Sequence, residues 1–268
     1  MERARFVKLL ALADLHFDFW TARGLDPFAG AEALLSDVDL LVLAGDVSNK
    51  AKIRWKPALE RLSACLPADR IAVFPGNHDF YDFRIDDEDR LRDIAESVGA
   101  TYAQRSELRF DGVRCLCATL WTDMALGGDL AANKRRAAER MNDYRYIRVA
   151  GDRYRRLWPE DVIAIHQQHR DWLEEKLATP FDGETWAITH HAPHPGALTP
   201  HASDVPFAYA SDLSDLIRAH QPARWLYGHC HYGHALEIGA TRIENVSLGG
   251  PEEAADPAAR LRSLIIEI

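Results

Sequence analysis

Ile71-Ala72-Val73-Phe74-Pro75-Gly76-Asn77-His78-Asp79 runs from four apolar residues straight into a polar cluster opened by Pro-Gly. An apolar run of that length, bounded by a turn signal, reads as a buried strand, and the polar residues then stand where the chain leaves it. The arrangement recurs four times. Residues 7–13 stop at Asp14-Leu15-His16, and residues 40–44 stop at Gly45-Asp46. Residues 186–189 stop at His190-His191, and residues 225–227 stop at Gly228-His229-Cys230-His231. Ligands of α/β sheets gather outside the carboxyl ends of strands. Five strand ends offering Asp, Asn and His therefore point to one shared site.

Helical spacing of apolar residues fills the intervals at 55–66, 86–98, 159–177 and 212–219, with Pro159 suited to a first helical turn. Hairpins are expected at 107–120 around Asp111-Gly112 and at 235–245 around Gly239-Ala240, and a last strand at 261–266. This order predicts an α/β (α+β) chain with two packed sheets and helices outside. Residues 1–268 are read as one domain. The polar, arginine-rich segment 122–158 interrupts the pattern, and it is read as an inserted cap, since long irregular insertions in compact domains are often binding loops or lids. Nine basic and five acidic residues give that segment a net charge of +4, in a chain of net charge -9. Asn142, Tyr144 and Arg145 are its candidates for reaching inward to substrate.

The chain has 268 residues, 47% of them hydrophobic, enough apolar mass for a substantial core. The negative net charge argues against general affinity for nucleic acid or anionic membranes. Cys65, Cys115, Cys117 and Cys230 show no zinc-finger spacing and are expected to be reduced thiols, which favours a cytoplasmic location. The run at 7–13 is too short for a signal sequence and fits a strand better.

The chemistry lies in the clusters taken together. Asp14, His16, Asp46, Asn77, His190, His229 and His231 are oxygen and imidazole donors, a set suited to Mn, Fe or Zn. Seven ligands are too many for one tetrahedral ion and suit two ions sharing a bridging carboxylate. Alternation in an extended chain would turn residues i and i+2 to one side, uniting Asp14 with His16 and His229 with His231, and turning Cys230 away. Gly45, Gly76 and Gly228 allow tight turns and close backbone approach.

These blocks resemble the calcineurin-like metallophosphoesterases, a group that includes purple acid phosphatases, cyclic-nucleotide phosphodiesterases, protein Ser/Thr phosphatases and DNA-repair nucleases. The family pattern D-x-H, G-D, G-N-H-[DE], a later His and G-H-x-H occurs in order from Asp14 to His231. The resemblance implies a β-sandwich of two mixed sheets flanked by helices. It implies one ion on Asp14, His16, Asp46 and His231, and a second on Asp46, Asn77, His190 and His229, with Asp46 bridging. It also implies attack on phosphorus by a metal-bridging hydroxide. His78 would then stabilise the transition state or protonate the leaving oxygen, with Asp79 holding its ring. Asn49 and His191 become candidate substrate contacts, and His194 a further residue able to line the pocket.

Other features have plainer readings. His166 and His169, at i and i+3 of a helix, are read as a packed pair because no carboxylates accompany them. Phe17, Phe19, Trp20, Phe80 and Tyr81 are as well suited to loop packing as to stacking on a base. The expected activity is hydrolysis of a small phosphomonoester, phosphodiester or nucleotide. A nuclease is the alternative that the net charge disfavours, and a non-catalytic scaffold the one that the full ligand set disfavours. Oligomeric state has no signature in the sequence.

Overall fold

The computed structural model describes residues 7–198, 204–232 and 234–268. Its strands are β1 (Lys8–Leu12), β2 (Leu40–Ala44), β3 (Ile71–Phe74), β4 (Thr101–Tyr102), β5 (Ser106–Phe110), β6 (Val113–Ala118), β7 (Arg148–Val149), β8 (Arg155–Arg156), β9 (Glu184–Thr189), β10 (Arg224–Tyr227), β11 (Ala235–Ile238), β12 (Thr241–Asn245) and β13 (Ile265–Glu267). Its helices are α1 (Phe17–Thr21), α2 (Glu32–Ser36), α3 (Ala51–Ser63), α4 (Glu88–Val98), α5 (Leu130–Arg140), α6 (Asp143–Tyr146), α7 (Pro159–Ala178), α8 (Ser214–His220) and α9 (Pro257–Leu264).

Two sheets carry the fold. One has the order β13-β1-β2-β3-β4 and the other β11-β12-β10-β9-β6-β5. The central strands β1, β2 and β3 are parallel and almost wholly buried, which explains why they read as unbroken apolar runs rather than alternating ones. The second sheet divides its side chains by the strand period of two. Cys115, Cys117, Trp186, Ile188 and Leu226 join the apolar core they share with the first sheet. Leu116, Ala187, Trp225 and Tyr227 face the opposite way, into a second core with Leu173 of α7 and Leu216 and Ile217 of α8. The result is a two-sheet sandwich with helices outside. No helix among the described residues is long and apolar enough to cross a membrane.

Two sequence expectations change. The last strand is shorter than 261–266, because Asp256 accepts from the Ala259 amide and Pro257 opens α9, whose buried face uses Leu261 and Leu264. Only Ile265–Glu267 pairs with β1. The segment 122–158, which had no place in the regular pattern, forms α5, α6 and the β7–β8 pair. It is stitched to the loop after β3: the amides of Asp82 and Ile85 donate to the carbonyls of Tyr146 and Arg148. Ala137, Met141, Tyr144, Ile147 and Leu157 enter the main core.

Candidate metal centre

The parallel strands β1, β2 and β3 and the parallel pair β9–β10 end at one edge of the sandwich, where the two sheets are tied together. The Ala13 amide donates to Val246 and the Leu248 amide donates to Ala13. Asp14, Asp46, Asn77, His190 and His229 follow those strand ends and converge, all buried, with His16 and the partly exposed His231 beside them. Close approach depends on the glycines. A Cβ on Gly45, which has φ 88°, would lie 2.4 Å from His190 Nδ1, and one on Gly228 would lie 2.4 Å from the Ala13 methyl.

The i, i+2 spacings work differently from the expected alternation. Asp14, His16, Asp46, His229 and His231 have φ of 55°, 43°, 55°, 65° and 54°, so these residues sit in left-handed turns, not extended chain. Such a conformation costs a non-glycine residue roughly 1 kcal/mol or more and persists where the surroundings over-determine it. Here the Asp14 amide donates to Gly45, and the His16 amide donates to Asp46. Cys230 is turned into a buried position, as expected, although it borders the cleft, and burial pushes its thiol up.

Two groups of side chains can each surround a cation: Asp14, His16, Asp46 and His231, and Asp46, His190 and His229. Asp46 belongs to both. Its Oδ2 lies 3.8 Å from His16 Nε2 and its Oδ1 lies 3.4 Å from His190 Nε2. Asn77 Oδ1, 3.1 Å from His190 Nε2, adds a fourth donor to the second group. Asp46 Oδ2 and His229 Nε2 are buried without a hydrogen-bond partner among the described residues. An unsatisfied buried polar atom costs about 1–3 kcal/mol, so the donor set fits cations better than an empty interior.

Protonation follows the same geometry. Burial alone would lower His231, but the Asp14 carboxylate 3.2 Å from its Nε2, with Glu253 on its Nδ1, raises it to about 11. Burial likewise opposes, and Asp46 overcomes the opposition, to bring His190 up to about 9. Burial lowers His16 to about 4 and His229 to about 3. The same His231 Nε2 lies 3.1 Å from His16 Nε2. Each side-chain group thus holds one imidazolium where its donors converge. Asp14 and Asp46 stay well below the usual carboxylate range: burial opposes this in both, and their histidine neighbours outweigh it.

His78 lies at the rim. Its amide donates to Asp46 Oδ1, and its ring stacks on Tyr81 at 4.2 Å. The residue that orients the ring is Asn49, whose Oδ1 is 2.9 Å from His78 Nδ1. Asp18 accepts from the Asn49 Nδ2 and so fixes which end of the amide faces the imidazole. His78 Nδ1 is then the donor, and Nε2 is the ring nitrogen left for another partner. Asp79 does not take the ring-holding role expected of it. Its carboxylate accepts from the amides of Asp46, Gly76 and Ser48 and from Trp55 Nε1, tying two ligand loops to α3. Burial first, then the Asp46 charge, pushes Asp79 up to about 7 against the pull of those donors.

The other expected contacts divide. Asn142 lines the cleft, of about 330 Å³, together with Arg140, Met141, Tyr209, Tyr232 and Glu253. Tyr144 is buried with its hydroxyl on Met124 Sδ, and Arg145 donates outward to the Glu139 carbonyl, because α6 turns both away from the cleft. His191 is packed between Trp121 and His229 with Nδ1 on the Thr119 carbonyl, so it supports the site from behind. His194 turns back on its own loop and accepts from the Gly196 amide. His166 and His169 are a packed pair: they hydrogen-bond the backbone at Leu120–Trp121, where both φ values are positive. Phe17, Trp20 and Phe80 are core residues, Tyr81 packs under His78, and Phe19 is exposed and stacked on His16. A larger cleft of about 550 Å³ near α9, lined by Arg224, Arg242 and Arg260, lies away from the converging donors.

Sequence reading missed Asp18, Asp143, Ser247 and Glu253. Asp18 continues the Asp14-x-His16 spacing, which was an available signal. Ser247 Oγ donates to Asp14 Oδ2 at 2.6 Å. Ser247 and Glu253 follow the last motif block with no spacing to mark them.

A family model described as calcineurin-like phosphoesterase matches residues 7–233. No curated protein matches the sequence. Among solved structures the chain is similar to a phosphopantetheinyl hydrolase from Mycobacterium tuberculosis, at 20% identity and a TM-score of 0.70, covering 98% of this chain and 96% of that one. It is also similar to a dimetal phosphatase from Danio rerio, at 16% identity and a TM-score of 0.51, covering 94% of this chain and 89% of that one. A structure from Thermus thermophilus shares 15% identity with a TM-score of 0.53, covering 98% of this chain and 99% of that one.

Proposed function

The chain belongs to the calcineurin-like phosphoesterase family, and from that premise we propose that it is a dinuclear metal-dependent phosphohydrolase of small phosphomonoesters, phosphodiesters or nucleotides. Asp14, His16, Asp46 and His231 would hold one ion, and Asp46, Asn77, His190 and His229 the other. The observation that carries this is the division of Asp46, one carboxylate oxygen turned toward each donor group. When bound, such a metal pair supplies Lewis-acid polarisation of phosphate and a water acidic enough to act at neutral pH.

The chain's own residues supply the rest. His78, held at Nδ1 by Asn49, presents Nε2 at the rim of the cleft. From there, when both ring nitrogens carry protons, it gives a hydrogen bond to developing charge on the phosphoryl group or a proton to the leaving oxygen. The cleft, of about 330 Å³, suits a small ester. Arg140 brings to its wall a planar fork of donors that suits phosphate, in exchange for its exposed pair with Asp204 at 3.2 Å. Segment 122–158 thereby takes part in choosing the substrate through Arg140, Met141 and Asn142. The test is a turnover screen over mono-, di- and cyclic phosphoesters with Mn, Ni, Co, Zn and Mg. A phosphopantetheinyl phosphoester belongs in the panel because of the Mycobacterium tuberculosis neighbour. Metal-dependent release of phosphate or alcohol from a small ester is the expected result. Cleavage of nucleic acid alone, or no turnover with any metal, would overturn the reading.

A further inference from the structure

We propose that Asp143, from the inserted segment, is a positioning residue that selects the ligating face of Asn77; the proposal rests on the metal-pair reading above. The argument starts from the chemistry of an amide. Its two ends are nearly alike in shape, but only Oδ1 can ligate a cation, and the surrounding hydrogen bonds decide which end points where. A carboxylate accepts hydrogen bonds and so captures the NH2 end. Asp143 Oδ1 accepts from Asn77 Nδ2 at 2.8 Å, and Asn77 Oδ1 is thereby turned to His190 Nε2 at 3.1 Å.

The same Asp143 oxygen accepts from the Tyr81 hydroxyl at 2.8 Å. Tyr81 in turn lies under the His78 ring, 4.2 Å away and tilted by 28°. One buried oxygen thus holds both a candidate ligand and the platform beneath the candidate acid. A buried carboxylate is unfavourable unless it is hydrogen-bonded, and both of its partners here belong to the site. The neighbours Tyr144 and Arg145 point elsewhere, so α6 delivers this one side chain to the centre. Asn49 is oriented by Asp18 in the same way.

The experiment is calorimetric titration of the full chain with Mn2+ alone, with a thermal melt of each variant as a check on folding. The wild type is expected to take up two ions. Asp143→Ala should leave one ion at its wild-type affinity and weaken the other by about 10- to 100-fold, the range for loss of a residue that orients a ligand. Asp143→Asn, whose Oδ1 can still accept from Asn77, should lose less. The decisive arm is the Asn77→Asp background. A carboxylate ligand needs no choice of face. There, Asp143→Ala and Asp143→Asn should weaken the affected ion alike, since both remove the same charge and no amide end is left to select, so the difference between them seen with Asn77 should vanish. If Asp143→Ala does not fold, Asp143→Leu, which likewise offers no acceptor, replaces it. Wild-type affinity for both ions in every Asp143 variant, or the same difference in both backgrounds, would overturn the proposal. A wild type that takes up fewer than two ions would overturn the metal-pair reading first, and this inference with it.

Discussion

His78 and Asn49 show what a single side chain contributes here. Asp18 fixes the Asn49 amide, Asn49 makes His78 Nδ1 a donor, and under the proposed function Nε2 is the nitrogen that meets substrate. His78→Ala should therefore keep its metal content while kcat falls by about 100-fold or more, the usual loss for a proton donor or charge-stabilising group. A smaller fall on p-nitrophenyl phosphate than on an alkyl ester would mark it as the acid, and an unchanged kcat would remove it from the mechanism. The histidines of the centre make a second claim. His190 and His231, raised to about 9 and about 11, both carry protons at pH 7. A ligating nitrogen must be unprotonated, so uptake of metal has to expel those protons. The sign follows: affinity rises with pH above 7, and the protons released per chain fall from about two toward one once pH passes about 9. Calorimetric titration in buffers of different ionisation heat measures this directly. Metal uptake at pH 7 without proton release would contradict the assignment.

At the level of elements, the strand ends were legible and the turns after them were not. Buried runs such as Leu40–Ala44 and Ile71–Phe74 could be read because parallel strands covered on both faces leave an unbroken apolar signature. The left-handed turns at Asp14, His16, Asp46, His229 and His231 carry no such signature, since no glycine stands at the ligand positions themselves. Their conformation is imposed by tertiary hydrogen bonds, and Asp79 is the clearest source of these. Asp79→Ala would strip an acceptor from four backbone amides, those of Asp46, Val47, Ser48 and Gly76, and from one indole. At about 1–3 kcal/mol for each buried donor left unpaired, the loss should exceed roughly 3 kcal/mol, read from denaturant unfolding of the metal-free chain. A loss below about 1 kcal/mol, with the effect confined to kcat, would return Asp79 to a role on His78. The same limit on local signals explains α9. Its Asp256 cap and Pro257 were visible, but the apolar residues after them served helix and strand patterns equally well.

Over the whole molecule, two sheets meet so that donors from the first and last thirds of the chain share one carboxylate. The seven candidate ligands were legible because each follows an apolar run. Asp143 and Glu253 were not, because what makes each matter is a partner distant in sequence: Asn77 for Asp143, and His231 for Glu253. Segment 122–158 belongs to the same lesson. Its charge drew attention to Arg145, yet Arg145 faces away and Arg140 borders the cleft. The central claim is that Asp46 joins two cations into one centre. Two cations sharing a carboxylate would lie about 3.5–4 Å apart, close enough for two Mn2+ ions to interact magnetically. Electron paramagnetic resonance of the chain titrated with Mn2+ tests this most directly. The account predicts two ions per chain with the spectrum of an interacting pair, and loss of that spectrum with lowered metal content in Asp46→Asn. A single ion per chain, two isolated Mn2+ signals, or an Asp46→Asn variant that keeps the paired spectrum would contradict it.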